Sequence, residues 1–172
     1  STRAFLVFWP AGIGLLDLPE MASADVLGLS GWSDEGLRSW ENPFNTRPQR
    51  PELLAQTNGW PSLVREALLI ERRGATADSV TSLMAEFPTD KQAASAFLAS
   101  VGILPRHTKL ISRWVEYTGP TDEVTLGDLQ EMFALEDTTT LARLLDELAL
   151  LGVVDQTVEG YRLDSVVWRC QH

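Results

Sequence analysis

The sequence predicts a mainly α-helical fold with a short N-terminal strand and a C-terminal β-hairpin. Three observations carry this reading. Apolar residues recur at helical spacing from Leu53 to Leu151. Helix-start and helix-stop residues interrupt that stretch every few turns. Strand-like runs are confined to Phe5–Trp9 and to the segment from Val153 to Leu163.

The chain has 172 residues, enough to bury a real core in one or two domains. Hydrophobic residues make up 44% and charged residues 22%, which is a globular balance. With 14 Lys and Arg against 24 Asp and Glu, the formal charge is −10. That excess opposes non-specific binding to nucleic acid or to anionic membranes. Cys170 is the single cysteine, so no internal disulfide or zinc cluster is expected, and a reducing cytoplasm fits. No stretch is long and apolar enough to cross a bilayer. Phe5–Trp9 is apolar but short, and it lacks the charged start and cleavage site of a secretory signal. Strand-like residues begin almost at once and without a Met, so Ser1 reads as a processed end or the boundary of a larger protein.

Each element has a local reason. Phe5 to Trp9 lacks polar alternation and suits a buried strand, which Pro10 stops. Ala11-Gly12-Ile13-Gly14 is a flexible exit. Leu15 to Met21 reads as a short helix or apolar loop, and Asp25 to Leu29 as a second extended piece. Ser33 can cap a helix whose first turn holds Asp34 and Glu35, with Leu37 and Trp40 on its apolar face. Asn42-Pro43 and Arg47-Pro48 punctuate a loop. Pro51 begins a helix that buries Leu53 and Leu54. Asn58-Gly59 then turns the chain, since both residues tolerate positive φ. Pro61 opens a central helix with Leu63, Ala67, Leu68 and Ile70 on one face, ended by Arg72-Arg73-Gly74. Thr76 or Asp78 starts the next helix, with Val80, Leu83, Met84 and Phe87 inside, and Pro88 ends it. Thr89 caps a helix with Ala93, Ala94, Phe97, Leu98 and Val101 inside, closed by Gly102.

From Leu104 a helix carries Leu110, Ile111, Trp114, Val115 and Tyr117 as far as Gly119-Pro120. Thr125 to Phe133 is a short helix. Thr138 or Thr139 caps a longer one with Leu141, Leu144, Leu145, Leu148 and Leu151. Val153-Val154-Asp155 and Tyr161-Arg162-Leu163 form a hairpin through Glu159-Gly160. Helix, short helix, long helix and hairpin is the order of a winged helix-turn-helix domain, with its turn at Ala134 to Thr138.

Leu29, Ser33-Asp34-Glu35-Gly36-Leu37, the helix start Gly59-Trp60-Pro61 and the downstream winged helix together resemble the C-terminal part of AAA+-like ATPases of the STAND group. The resemblance covers most of the chain by order of elements, but only Gly59-Trp60-Pro61 and its helix match as a motif. It implies three segments: residues 1–32 as the end of an ATPase-core-like segment, 33–103 as a helical lid-like subdomain, and 104–172 as the winged-helix domain. It also implies that Gly59, Trp60 and Pro61 face a nucleotide; Arg65, one turn into the same helix, is placed to reach a phosphate and reads alternatively as a solvated surface arginine or a partner of Glu66 or the neighbourhood of Glu71. ATP or ADP would be bound by a full-length parent and not by this fragment alone. There is no G-x-x-x-x-G-K-[ST], and Ala11-Gly12-Ile13-Gly14 has the wrong spacing and no lysine. The phosphate and magnesium machinery would lie upstream of Ser1, and the chain would hydrolyse nothing by itself.

Gly59-Trp60-Pro61 reads equally as a tight helix entry with a buried Trp. The two histidines, His107 and His172, are far apart in sequence, and no metal site, catalytic triad or nucleophile elbow is present. A winged helix suggests DNA recognition by its long helix. Between Leu104 and His172, however, six basic residues face twelve acidic ones, a net of −6. Contact with phosphates needs several cations on one face, so protein partners are expected and DNA is not. Three function classes therefore stand: a regulatory lid and winged helix of a nucleotide-switched ATPase, a winged-helix transcriptional regulator, and a non-enzymatic interaction module. An upstream Walker motif separates the first from the others, and salt-dependent DNA binding separates the second. The apolar strand edge at Phe5–Trp9 also invites pairing, so a homo-oligomer is expected.

Overall fold

In a computed structural model, the structure describes residues 31–39, 49–133 and 138–172. The expected strand at Phe5–Trp9, the segments between it and Leu29, Trp40, the proline-punctuated loop and most of the turn at Ala134–Thr138 lie outside these residues. So does the basis for the expected strand-edge pairing.

The described chain is mainly helical with one small antiparallel sheet. Its elements are α1 (Asp34–Ser39), α2 (Arg50–Thr57), α3 (Pro61–Arg72), α4 (Ala77–Glu86), a single 3-10 turn (Phe87–Thr89), α5 (Lys91–Ser100), α6 (Pro105–Tyr117), β1 (Glu123–Val124), α7 (Leu126–Phe133), α8 (Thr138–Leu150), β2 (Val154–Gln156), β3 (Tyr161–Leu163) and α9 (Ser165–Gln171). The sheet order is β1-β3-β2, with Val124 opposite Tyr161 and Val154 opposite Leu163. Gly160 is required where the hairpin crosses β1, because a Cβ there would stand 2.2 Å from the Val124 carbonyl oxygen. No helix of the described residues is long and apolar enough to cross a membrane.

The helix boundaries follow their caps. The Ser33 hydroxyl accepts from the Gly36 N–H at 3.0 Å, and Thr76 accepts from the Ser79 N–H at 3.2 Å. Thr125 and Asp128 cap α7 reciprocally: the Asp128 N–H donates to the Thr125 hydroxyl, and Asp128 accepts the Thr125 N–H. The Thr125 hydroxyl also donates to that carboxylate at 2.7 Å, and this bond together with the one from the Thr125 N–H holds the Asp128 carboxyl below its ordinary range. The cap of α5 is Asp90 and not Thr89. Asp90 has the extended backbone that a cap needs, and it accepts from the N–H groups of Gln92 and Ala93. Thr89 belongs to the 3-10 turn and donates to the Glu86 carbonyl instead.

Two apolar clusters form the core. One gathers Leu37, Leu53, Val64, Ala67, Leu68, Val80 and Met84 from α1 to α4. The other runs from Leu63 and from Phe97, Leu98 and Val101 of α5 through α6, α7 and α8 to Val166 and Val167 of α9. The second cluster therefore crosses the expected boundary at residue 103. α3 serves both: Leu63 enters one cluster and Val64 the other. Leu83 and Tyr117 are not core residues, being 44% and 60% exposed. The buried stripe of α4 is Ala77, Val80, Thr81 and Met84, and that of α6 is His107, Leu110, Ile111, Trp114 and Val115. Leu83 and Tyr117 fall beside those stripes. β1 and α9 are elements that the sequence reading does not contain.

Candidate functional site

The site is built on the turn between α2 and α3. Asn58 and Gly59 both take left-handed backbone, at φ of 45° and 71°. The Thr57 hydroxyl, fully buried, donates to the Leu53 carbonyl, and the Thr57 carbonyl accepts the Trp60 N–H. The Gly59 carbonyl accepts the Trp32 N–H at 2.7 Å, which ties the entry of α1 to this turn. A Cβ on Gly59 would lie 2.2 Å from the Trp32 carbonyl oxygen, so no other residue fits there without movement.

Trp60 points into protein. Its ring meets Phe97 edge-on at 5.4 Å, and Phe97 meets Phe87 the same way at 5.7 Å. Its far edge lies beside Gly152. Pro61 occupies the first position of α3, and Pro61 and Arg65 are exposed. Arg65 makes no hydrogen bond or ion pair among the described residues. Gly59, Trp60, Pro61 and Arg65 thus share one joint but face different ways. Gly59 and Trp60 are engaged by the chain, whereas Pro61 and Arg65 look outward.

The same turn clasps the last helix. Asp164 caps α9, accepting from the N–H groups of Val166 and Val167 at 2.9 and 3.0 Å. Its other oxygen accepts from the Asn58 side-chain amide at 2.5 Å, and the Trp60 side chain also hydrogen-bonds to it. Burial raises the Asp164 carboxyl above its ordinary range, and those hydrogen bonds offset only part of the rise. One turn along α9, Arg169 donates to the Gln56 side chain at 3.0 Å and to the Gln56 carbonyl at 2.6 Å. Trp168 anchors the far side of α9, donating to the Thr118 carbonyl at 3.0 Å and stacking on His172.

No family model, no curated protein and no solved structure matches the chain.

A second polar cluster joins α6 to α8. His107 is fully buried, and its Nδ1 accepts the Leu104 N–H at 3.2 Å. That leaves Nε2 to carry the proton and donate to Glu147 at 2.8 Å. Arg106 donates to the same carboxylate at 2.8 Å, and Arg143 approaches it at 3.6 Å. Burial alone would raise the Glu147 carboxyl, but the hydrogen bonds from His107 and Arg106 outweigh it and hold the group below its ordinary range. Among the described residues no group of three His, Cys, Asp or Glu side chains could hold a metal ion. Burial pushes the Cys170 thiol up to about 11, so it is no nucleophile at neutral pH.

Sequence reasoning missed Asp164, Arg169 and Glu147 as partners. Asp164 stands before the apolar pair Val166-Val167, which is an N-cap signature that was readable. In the sequence it counts only as one of the twelve acidic residues between Leu104 and His172. The pairing of His107 with Glu147 spans 40 residues and left no local signal.

Proposed function

We propose that this chain is the regulatory lid and winged-helix part of a nucleotide-switched ATPase of the STAND kind, acting through protein–protein contacts. The observation that carries the reading is the joint at Asn58–Pro61. One side of that turn presents Pro61 and Arg65 outward, and the other side holds Asp164 at the start of α9. An upstream core with bound ATP or ADP would rest against Pro61 and Arg65. A change of nucleotide would then reach the C-terminal elements through Asn58, Trp60 and Arg169. Only differential contacts in the two nucleotide states can drive such a change.

The order α6, β1, α7, α8, β2, β3 and the sheet order β1-β3-β2 support a winged-helix reading of the C-terminal part. Protein is favoured over DNA as its partner. Arg143 on α8 already lies near Glu147, and Arg162 on β3 faces Asp155 at 3.2 Å. The test is to read the coding frame upstream of Ser1. A glycine-rich loop ending in Lys-Ser or Lys-Thr, followed by a strand with acidic residues at its end, is expected. In that full-length protein, Pro61→Ala should weaken ADP binding measured by calorimetry. A frame that opens immediately before Ser1 would sink the proposal.

A further inference from the structure

We propose that the groove along α6 binds an acidic, amphipathic segment of a partner protein. Arg106, Lys109 and Arg113 are spaced to share one side of the helix, and all three are exposed along a groove of about 900 Å³. The rest of the wall is mostly apolar, with Ile103, Phe133 at the end of α7 and Leu144 of α8, and it also includes Thr108 and Ser112. Arg106 already shares Glu147, but Lys109 and Arg113 have no hydrogen bond or ion pair among the described residues. Among the described residues a single carboxylate, Glu116, lines the groove beside the three cations. This concentration is local in a chain with a formal charge of −10.

Cations above an apolar wall match a ligand with carboxylates on one edge and apolar side chains on the other. A nucleic acid fits less well. Its backbone asks for cations along a longer track than these three side chains supply. The inference is independent of the nucleotide reading, because it uses neither Pro61 nor Arg65.

The experiment uses a fluorescein-labelled peptide with leucines on one helical face and glutamates on the other, titrated with the whole chain. Binding should weaken as salt rises. It should fall about tenfold in the variant carrying Lys109→Glu and Arg113→Glu, and stay unchanged in Arg72→Glu, an exposed cation on α3. The same peptide with glutamines in place of glutamates should bind more weakly. Circular dichroism checks folding. Should the double reversal not fold, Lys109→Gln and Arg113→Gln singly should each weaken binding by a fewfold. The inference is overturned if the wild-type chain does not bind the peptide, if the variants bind it equally well, or if a DNA duplex binds more tightly than the peptide.

Discussion

The side-chain amide of Asn58 donates to the buried carboxylate of Asp164 across 2.5 Å, joining two segments 106 residues apart. The same carboxylate caps α9 through two backbone N–H groups. Asp164→Ala therefore strands several donors at once, and should cost about 2–4 kcal/mol of stability. Urea unfolding followed by tryptophan fluorescence measures this. A loss under about 0.5 kcal/mol, the range of an ordinary surface change, would show that the clasp contributes little.

Asp164 and Glu147 should give stability opposite dependence on pH. The Asp164 carboxyl is raised above its ordinary 3.8 in the fold. Its contribution is full below 3.8 and is lost as pH rises through the folded value, because the folded state then binds more protons than the unfolded one. Glu147 is held below its ordinary 4.5, so its contribution is full above 4.5 and is lost as pH falls through the folded value. The stability advantage of wild type over Asp164→Asn should shrink as pH rises above 3.8, while that over Glu147→Gln should shrink as pH falls below 4.5. Urea midpoints of both variants across a pH series decide. Parallel curves would remove the assigned roles.

Gly59→Ala and Gly74→Ala separate backbone conformation from close approach. Both positions have positive φ, at 71° and 100°. A Cβ at Gly74 meets nothing, whereas one at Gly59 meets the Trp32 carbonyl. Gly74→Ala should cost about 1–3 kcal/mol from backbone strain, and Gly59→Ala clearly more. Equal losses in thermal unfolding would mean that the Trp32 contact yields easily.

Phe97 and Leu83 make a matched pair of large apolar side chains. Phe97 is buried and meets the rings of both Trp60 and Phe87. Phe97→Ala should cost about 3–5 kcal/mol. Leu83→Ala should stay within about 0.5 kcal/mol, since Leu83 is largely outside the core. Denaturant midpoints measured on both would reject this assignment if the order were reversed.

The helices were legible because their punctuation is local. Ser33, Thr76, Asn58-Gly59, Pro61 and Gly102 act within a few residues of themselves, and the structure uses each as its chemistry suggests. Leu83 and Tyr117 were misplaced because a stripe of apolar residues blurs at its edges, where spacing of three and four residues admits a neighbour. β1 has two residues and exists only because β3 pairs with it, so it carries no periodicity. The tripeptide Gly59-Trp60-Pro61 was visible as a joint, but what it joins was not. Asn58 meets Asp164, and Gln56 meets Arg169, over separations that no local pattern encodes.

Leu63 and Val64 are consecutive on α3, yet they enter different apolar clusters. Neighbouring positions on a helix are turned roughly 100° from one another. α3 therefore works like an axle keyed at two points. A roll that improves the packing around Val64 drags Leu63 out of register with the second cluster, and the reverse holds too. Torque delivered at its Pro61 end is shared by the two halves of the molecule instead of being absorbed by one.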